Sequence, residues 1–197
     1  MNPPDDARRR GRRRFLLVAS LFFVPLATAF LLYYSAGYRP AVGAHGELVS
    51  PPRPLTVSGL MLPDGRPAPP DAFEGKWSIV LDAGPACDES TRARLDELGN
   101  LRLALDKDMG RVRRVLLHQG ACDSFELLSR DADLLILAAV GPPGRSFLAQ
   151  FPPALEEGKA IYIVDPHGNL MMSYRATGSA RGMLKDLERL LRLSSIG

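Results

Sequence analysis

The sequence predicts a three-layer α/β domain with a mixed sheet, carried behind one N-terminal hydrophobic helix. Three observations predict it. Residues 15–34 carry no charge, residues 77–140 alternate short apolar runs with helical periodicity, and the C-terminal part reads as a hairpin followed by an amphipathic helix.

The N-terminal segment is read first. Residues 1–14 hold six arginines (Arg8, Arg9, Arg10, Arg12, Arg13 and Arg14) against Asp5 and Asp6. The run FLLVASLFFVPLATAFLLYY (15–34) follows. At about 1.5 Å per residue, a helix of that length spans about 30 Å, the hydrocarbon thickness of a bilayer. The arginines hold their flank in the cytoplasm. Residues 1–14 are therefore expected as a cytoplasmic tail, 15–34 as a transmembrane helix, and the remainder as exported. Tyr33, Tyr34 and Tyr38 fall where an aromatic belt meets the outer interface, and Pro25 is tolerable within a span. Two other patterns compete. Ala27-Thr28-Ala29 fits a signal-peptidase site, and RRRFLL (12–17) loosely fits a twin-arginine export signal. The apolar run continues through Phe30–Tyr34, which a cleaved leader does not need, so a retained anchor is expected.

Charge divides at the same point. The chain carries +3 overall. The tail contributes six positive and two negative charges, +4, which leaves −1 for the rest. The basic pI is thus a topology signal, and nucleic acid is not an expected partner. In a Gram-negative host, the protein would sit single-pass in the inner membrane with a periplasmic C-terminal domain. That compartment is oxidising and permits disulfides.

Residues 35–72 are rich in Pro and Gly and read as a tether with a short hairpin around Pro63-Asp64-Gly65. Residues 73–197 form the expected domain. WSIVLD (77–82) reads as a buried strand. Asp88 then caps a helix reaching about Met109, with Leu95, Leu98, Leu101, Leu105 and Met109 on one face. VRRVLLH (112–118) is a second strand, 123–130 a short helix, and LLILAAV (134–140) a third strand closed by Gly141-Pro142-Pro143-Gly144. Residues 160–164 and 170–174 pair across the turn Asp165-Pro166-His167-Gly168-Asn169. A last helix, from Ser179 to about Leu193, presents Met183, Leu184, Leu187, Leu190 and Leu191. The order βαβα–ββα is that of a thioredoxin fold.

The chemistry centres on two cysteines. Cys87 follows the first domain strand and Cys122 the second, so their loops share one sheet edge, where open α/β folds place sites. Three readings stand: a structural disulfide, two unpaired core thiols, or a redox or metal site. A disulfide would close a loop of about 35 residues, stabilising by about 3–4 kcal/mol in the chain-entropy model. His118, four residues before Cys122, could complete a soft-metal set of two thiolates and an imidazole for copper; its other reading is a plain strand-end histidine. His167 reads as a solvated turn residue, and His45 lies in the tether. Met171 and Met172 read as packing, because strand alternation sends one inward and one outward. Asp82 could tune a thiol or satisfy local N–H groups. No nucleophile elbow, P-loop, dinucleotide fingerprint or zinc-protease motif is present. No catalytic residue is assigned, and whether the protein is an enzyme stays open.

The stretches GELVSPPRPL (46–55), FEGKWSIVLDAGPACD (73–88), LRLALDKDMGRVRRVLL (101–117) and IYIVDPHGNLMMSY (161–174) resemble Sco/SenC proteins. Those are membrane-anchored, thioredoxin-fold factors that assemble the copper centre of cytochrome c oxidase. The resemblance implies copper as cargo and oxidase subunits or other assembly factors as partners. Two of the family's three copper ligands are missing. Cys87 matches the first cysteine of a Cys-x-x-x-Cys pair, but Thr91 stands at the second, and residues 151–159 contain no histidine. The expectation is an accessory in oxidase assembly or copper handling that lacks the full Sco site and holds copper weakly. The alternatives are a thiol–disulfide oxidoreductase using Cys87 and Cys122, or a tethered interaction module without chemistry.

Overall fold

The computed structural model describes residues 4–35, 44–120, 122, 133–152, 159–175 and 178–196. The chain divides into two compact units, Met1–Gly43 and Ala44–Gly197.

The described part of the first unit is one helix, α1 (Pro4–Ser35), which takes in the arginine run as well as the uncharged run. Side-chain surroundings in α1 are described for Arg12, Arg13, residues 15–28, Phe30 and Leu31. The large apolar ones stand exposed, Phe15, Leu21, Phe22 and Phe30 among them. The transmembrane helix expected over 15–34 is not found as a span: among the described residues, no helix is long and apolar enough to cross a membrane.

The second unit is built on a seven-stranded mixed sheet in the order β1-β7-β6-β3-β4-β5-β2. Its strands are β1 (Glu47–Pro54), β2 (Leu60–Met61), β3 (Trp77–Asp82), β4 (Val112–His118), β5 (Leu134–Ala139), β6 (Ala160–Val164) and β7 (Asn169–Arg175). The strands β3, β4 and β5 run parallel, whereas β6 joins β3, and β7 joins β6, in antiparallel register. Helix α2 (Glu89–Leu103) and helix α4 (Ala180–Leu193) cover one face, and α3 (Gly141–Leu148) covers the other.

Strand alternation separates the two cores. Ile79 and Leu81 of β3 pack with Leu95, Leu98 and Leu101 of α2 and with Met183, Leu187 and Leu191 of α4. Val80, from the same strand, faces Leu117, Leu137, Phe73, Phe147 and Phe151. Phe73 stacks on Phe147 at 5.8 Å between centroids, and Phe147 meets Phe151 edge-on at 5.4 Å.

In the strands and helices of the second unit, the structure differs from the sequence expectations in four places. Residues 47–54 and 60–61, expected within a tether, are the two edge strands of the sheet. Proline-rich strands survive at edges because no partner needs their missing N–H groups. The hairpin at Pro63-Asp64-Gly65 is present: the Leu62 amide donates to the Arg66 carbonyl at 2.8 Å. Second, α2 stops at Leu103 and tightens into a 3-10 turn, Asp106–Arg111, so Met109 falls off the helical stripe and is 42% exposed. Third, Gly141-Pro142-Pro143-Gly144 opens α3 rather than merely ending a strand. Proline suits the first helical positions, where the missing N–H would be unused anyway. The fourth concerns Met171. A β-bulge skips it between the pairs Ile163↔Met172 and Val164↔Leu170, so Leu170 faces one core and Met172 the other. Met172 is buried and Met171 half-buried, both against the α2/α4 core. The expected helix at 123–130 lies outside the described residues.

Candidate functional site

Strands β3 and β4 lie side by side in parallel, with Asp82 opposite Leu117, so their C-terminal ends and loops meet at one edge. Two backbone bonds carry the ladder past the strands: Ala83 N–H to Leu117 O at 2.8 Å, and Gln119 N–H to Gly84 O at 2.9 Å. Gly84 turns the first loop with φ 67°. Gly120, in the second loop, lies against the Pro85 carbonyl with no space for a side chain.

These loops bring Cys87 and Cys122 together as a disulfide with Cα atoms 5.0 Å apart, inside the usual range of about 4.4–6.8 Å. Of the three sequence readings of the pair, unpaired thiols are thereby set aside. Both cysteines are half-buried against the α2/α4 core. His118 ends β4 with 6% exposure. Its Nδ1–H donates to the Gly120 carbonyl at 2.8 Å. That bond orients the ring and makes Nε2 the lone-pair nitrogen of the neutral imidazole. One ligand atom from each of Cys87, His118 and Cys122 lies within 4.8 Å of the others. The three residues singled out in the sequence thus converge on one edge of the sheet. Two thiolates and an imidazole form a donor set suited to a soft monovalent copper ion.

Thr91 is 1% exposed in the first turn of α2. Its amide and hydroxyl donate to Asp88 Oδ1 at 2.9 and 3.1 Å, so it completes a helix cap. Asp88 also accepts from Ser90 Oγ at 2.7 Å and pairs with the Lys159 ammonium. Lys159 above all, then Ser90 and the Thr91 amide, hold its carboxyl well below the usual range. Asp82 accepts the Gly84 N–H at 2.9 Å. Burial nevertheless pushes its carboxyl up, against the Gly84 amide and the Gln119 side chain, which pull it down. Tyr162, whose hydroxyl donates to Pro152 O at 2.9 Å, is pushed up to about 12 by burial and then by the Asp82 charge.

His167 is exposed in its turn, where Asp165 Oδ1 accepts its amide at 2.9 Å. His45 does not remain in a tether. It docks on α4, giving its N–H to Asp186 Oδ2 at 2.7 Å. Asp186 and its partner Tyr174 were not singled out in the sequence. The available signal was an acid on the buried stripe of the last helix, three residues after Met183 and four before Leu190.

The family model described as the transmembrane-like, thioredoxin-like C-terminal domain matches residues 77–194. No curated protein matches the sequence. Among solved structures, the copper-bound ScoI of Arabidopsis thaliana superposes with a TM-score of 0.54 at 16% identity, over 73% of this chain and 98% of that one. Yeast Sco1 gives 0.55 at 16% identity, over 71% and 99%. BsSco, described as a Sco-family cytochrome c oxidase assembly protein with a disulfide switch, gives 0.51 at 12%, over 74% and 99%. At these identities the likeness is one of fold.

Proposed function

The chain belongs to the transmembrane-like, thioredoxin-like C-terminal domain family, and we propose that it is a membrane-anchored accessory of respiratory oxidase assembly that handles copper through a redox-gated thiol pair. The observation that carries this reading is the approach of Cys87, His118 and Cys122 ligand atoms to within 4.8 Å. Support also comes from the fold shared with solved Sco proteins, the copper-bound ScoI of Arabidopsis thaliana among them. The charge-free run 15–34 behind six arginines supports the anchor.

The disulfide sets the gate. An external dithiol breaks the Cys87–Cys122 bond, becomes a disulfide itself, and leaves two thiols here. Cu(I) binding then releases the thiol protons. The ion is cargo in this reading, and the small ligand set holds it weakly. Thr91 and the histidine-free stretch 151–159 withhold the two further ligands of a full Sco site.

The test is copper retention by the exported domain against a mild chelator. The oxidised domain retains none. The reduced domain retains up to one Cu(I), and Cys87→Ser or Cys122→Ser abolishes it. Stoichiometric copper on the oxidised domain, or retention in both variants, refutes the reading.

One observation favours a second reading. The disulfide sits half-buried at a loop edge rather than deep in the core, which suits thiol–disulfide exchange with a partner protein. A reduced domain that retains no Cu(I), yet rapidly reduces a partner disulfide, would shift the assignment there.

A further inference from the structure

β1 is held at its ends rather than along its length. Seven of its eight residues are exposed. Pro51, Pro52 and Pro54 have no N–H to give the ladder. Glu47 and Leu48 pair with Ser173 and Met172, and pairing resumes only at Arg53 and Pro54, opposite Leu170 and Asn169. Just past its C-terminal end, Leu55 N–H donates to Gly168 O at 2.9 Å. The Gln150 side chain then brackets Thr56 by accepting its amide at 2.7 Å and donating to its carbonyl at 3.0 Å.

The N-terminal end is held by one buried carboxylate. Asp186, 6% exposed on α4, accepts the amides of His45 at 2.7 Å and Gly46 at 3.1 Å. It also accepts the Tyr174 hydroxyl at 3.1 Å and faces His45 Nδ1 at 3.4 Å. Two glycines make room for the arriving chain. A Cβ on Gly182 would stand 2.7 Å from His45 Cβ, and one on Gly46 would stand 2.5 Å from the Tyr174 ring. A buried carboxylate needs such donors, so the contact is either fully made or lost as a whole.

The strand beneath does not depend on β1. β7 is paired along its other edge by β6, and Leu170, Met172 and Tyr174 are buried within the two cores. Of the residues of β1, only Val49 packs against a core.

We propose that β1 is a releasable strap, latched at its N-terminal end by Asp186, which opens as a unit while the other six strands stay folded. Release turns residues 44–54 into extended chain of about 36 Å, at about 3.3 Å per residue, and uncovers the outer edge of β7. Where residues 15–34 anchor the protein, that length is added to the tether; this consequence rests on the anchored reading, and the strap itself does not.

Hydrogen exchange on the full chain, read by mass spectrometry along a denaturant series, tests the strap. Peptides covering 45–54 should exchange at least about tenfold faster than those covering 77–82 and 112–118, through openings that depend only weakly on denaturant. Asp186→Asn should speed exchange at 45–54 by about tenfold or more, as charge-assisted bonds are lost, and leave 77–82 and 112–118 unchanged. Exchange of 45–54 only together with the core, in the unmodified chain, overturns the strap. Equal acceleration of the whole domain in Asp186→Asn overturns the latch. Release of the chain from membranes by carbonate would remove the anchored consequence and leave the exchange result standing.

Discussion

Gly120 meets the Pro85 carbonyl oxygen so closely that a Cβ at position 120 would overlap it. The contact locks the loop after β4 onto the loop after β3, and those loops carry the two cysteines. The same glycine offers its carbonyl to His118 Nδ1 at 2.8 Å. A residue with no side chain thereby fixes both the sulfur-to-sulfur approach and the imidazole orientation. Backbone cannot retreat as a flexible side chain can, so Gly120→Ala must push the loops apart. We expect a loss of about 1–3 kcal/mol, the range for overpacking a tight contact, together with free thiol in the unreduced protein. Thermal unfolding and thiol alkylation read the two effects, and an alanine variant that is fully bridged and as stable as the parent would contradict this account.

The disulfide closes a sequence separation of 35 residues. In the chain-entropy model this removes about 3–4 kcal/mol of freedom from the unfolded chain. Intact-mass measurement after alkylation should find no free thiol before reduction and two after it. Denaturant unfolding of the reduced domain should show a lower midpoint. An unchanged midpoint would mean that the bridge is a pure exchange site without structural weight.

Asp82 gives stability a pH signature of known sign. Burial raises its carboxyl above the usual carboxylate range in the folded domain. The folded state therefore keeps a proton that the unfolded chain has released. Its contribution is fully present below the unfolded pKa and is lost as pH rises through the folded one. Asp82→Asn removes the titration, while its side-chain oxygen can still accept the Gly84 N–H. Relative to the parent, the variant should gain stability with rising pH across that window and then hold a constant advantage. Urea unfolding at several pH values checks this, and parallel curves would refute it.

Periodicity carried the legible part of the fold. The runs 77–82 and 112–118 are buried strands as read, and Asp88 and Ser179 cap the helices that follow them in the chain. The disulfide partners were legible because adjacent parallel strands deliver their loops to one edge. Where proline dominates, pattern misleads. The same residue type that marks tethers and breakers also marks an edge strand, in β1, and a helix start, in α3. The bulge at Met171 was invisible because an inserted residue changes face without changing composition. The His45–Asp186 contact spans 141 positions, a separation that no local pattern encodes.

The last expectation concerns the anchor. Residues 15–34 form an uncharged stretch within α1, and a helix of that length covers about 30 Å. Its described large apolar side chains stand exposed, with Phe15 at 73% and Leu21 at 74%. The expectation of an anchor rests on that uncharged run, whereas among the described residues no helix is long and apolar enough to cross a membrane. Six arginines on the N-terminal flank disfavour passage of that end, so the C-terminus should lie outside the cytoplasm. The full chain should stay with membranes after carbonate extraction, and a reporter active only outside the cytoplasm should be active when fused after Gly197. A soluble product with a new N-terminus at Phe30 would show instead that Ala27-Thr28-Ala29 is cut by signal peptidase. A cytoplasmically active reporter on a membrane-bound chain would reverse the orientation and remove the oxidising compartment on which the Cys87–Cys122 gate depends.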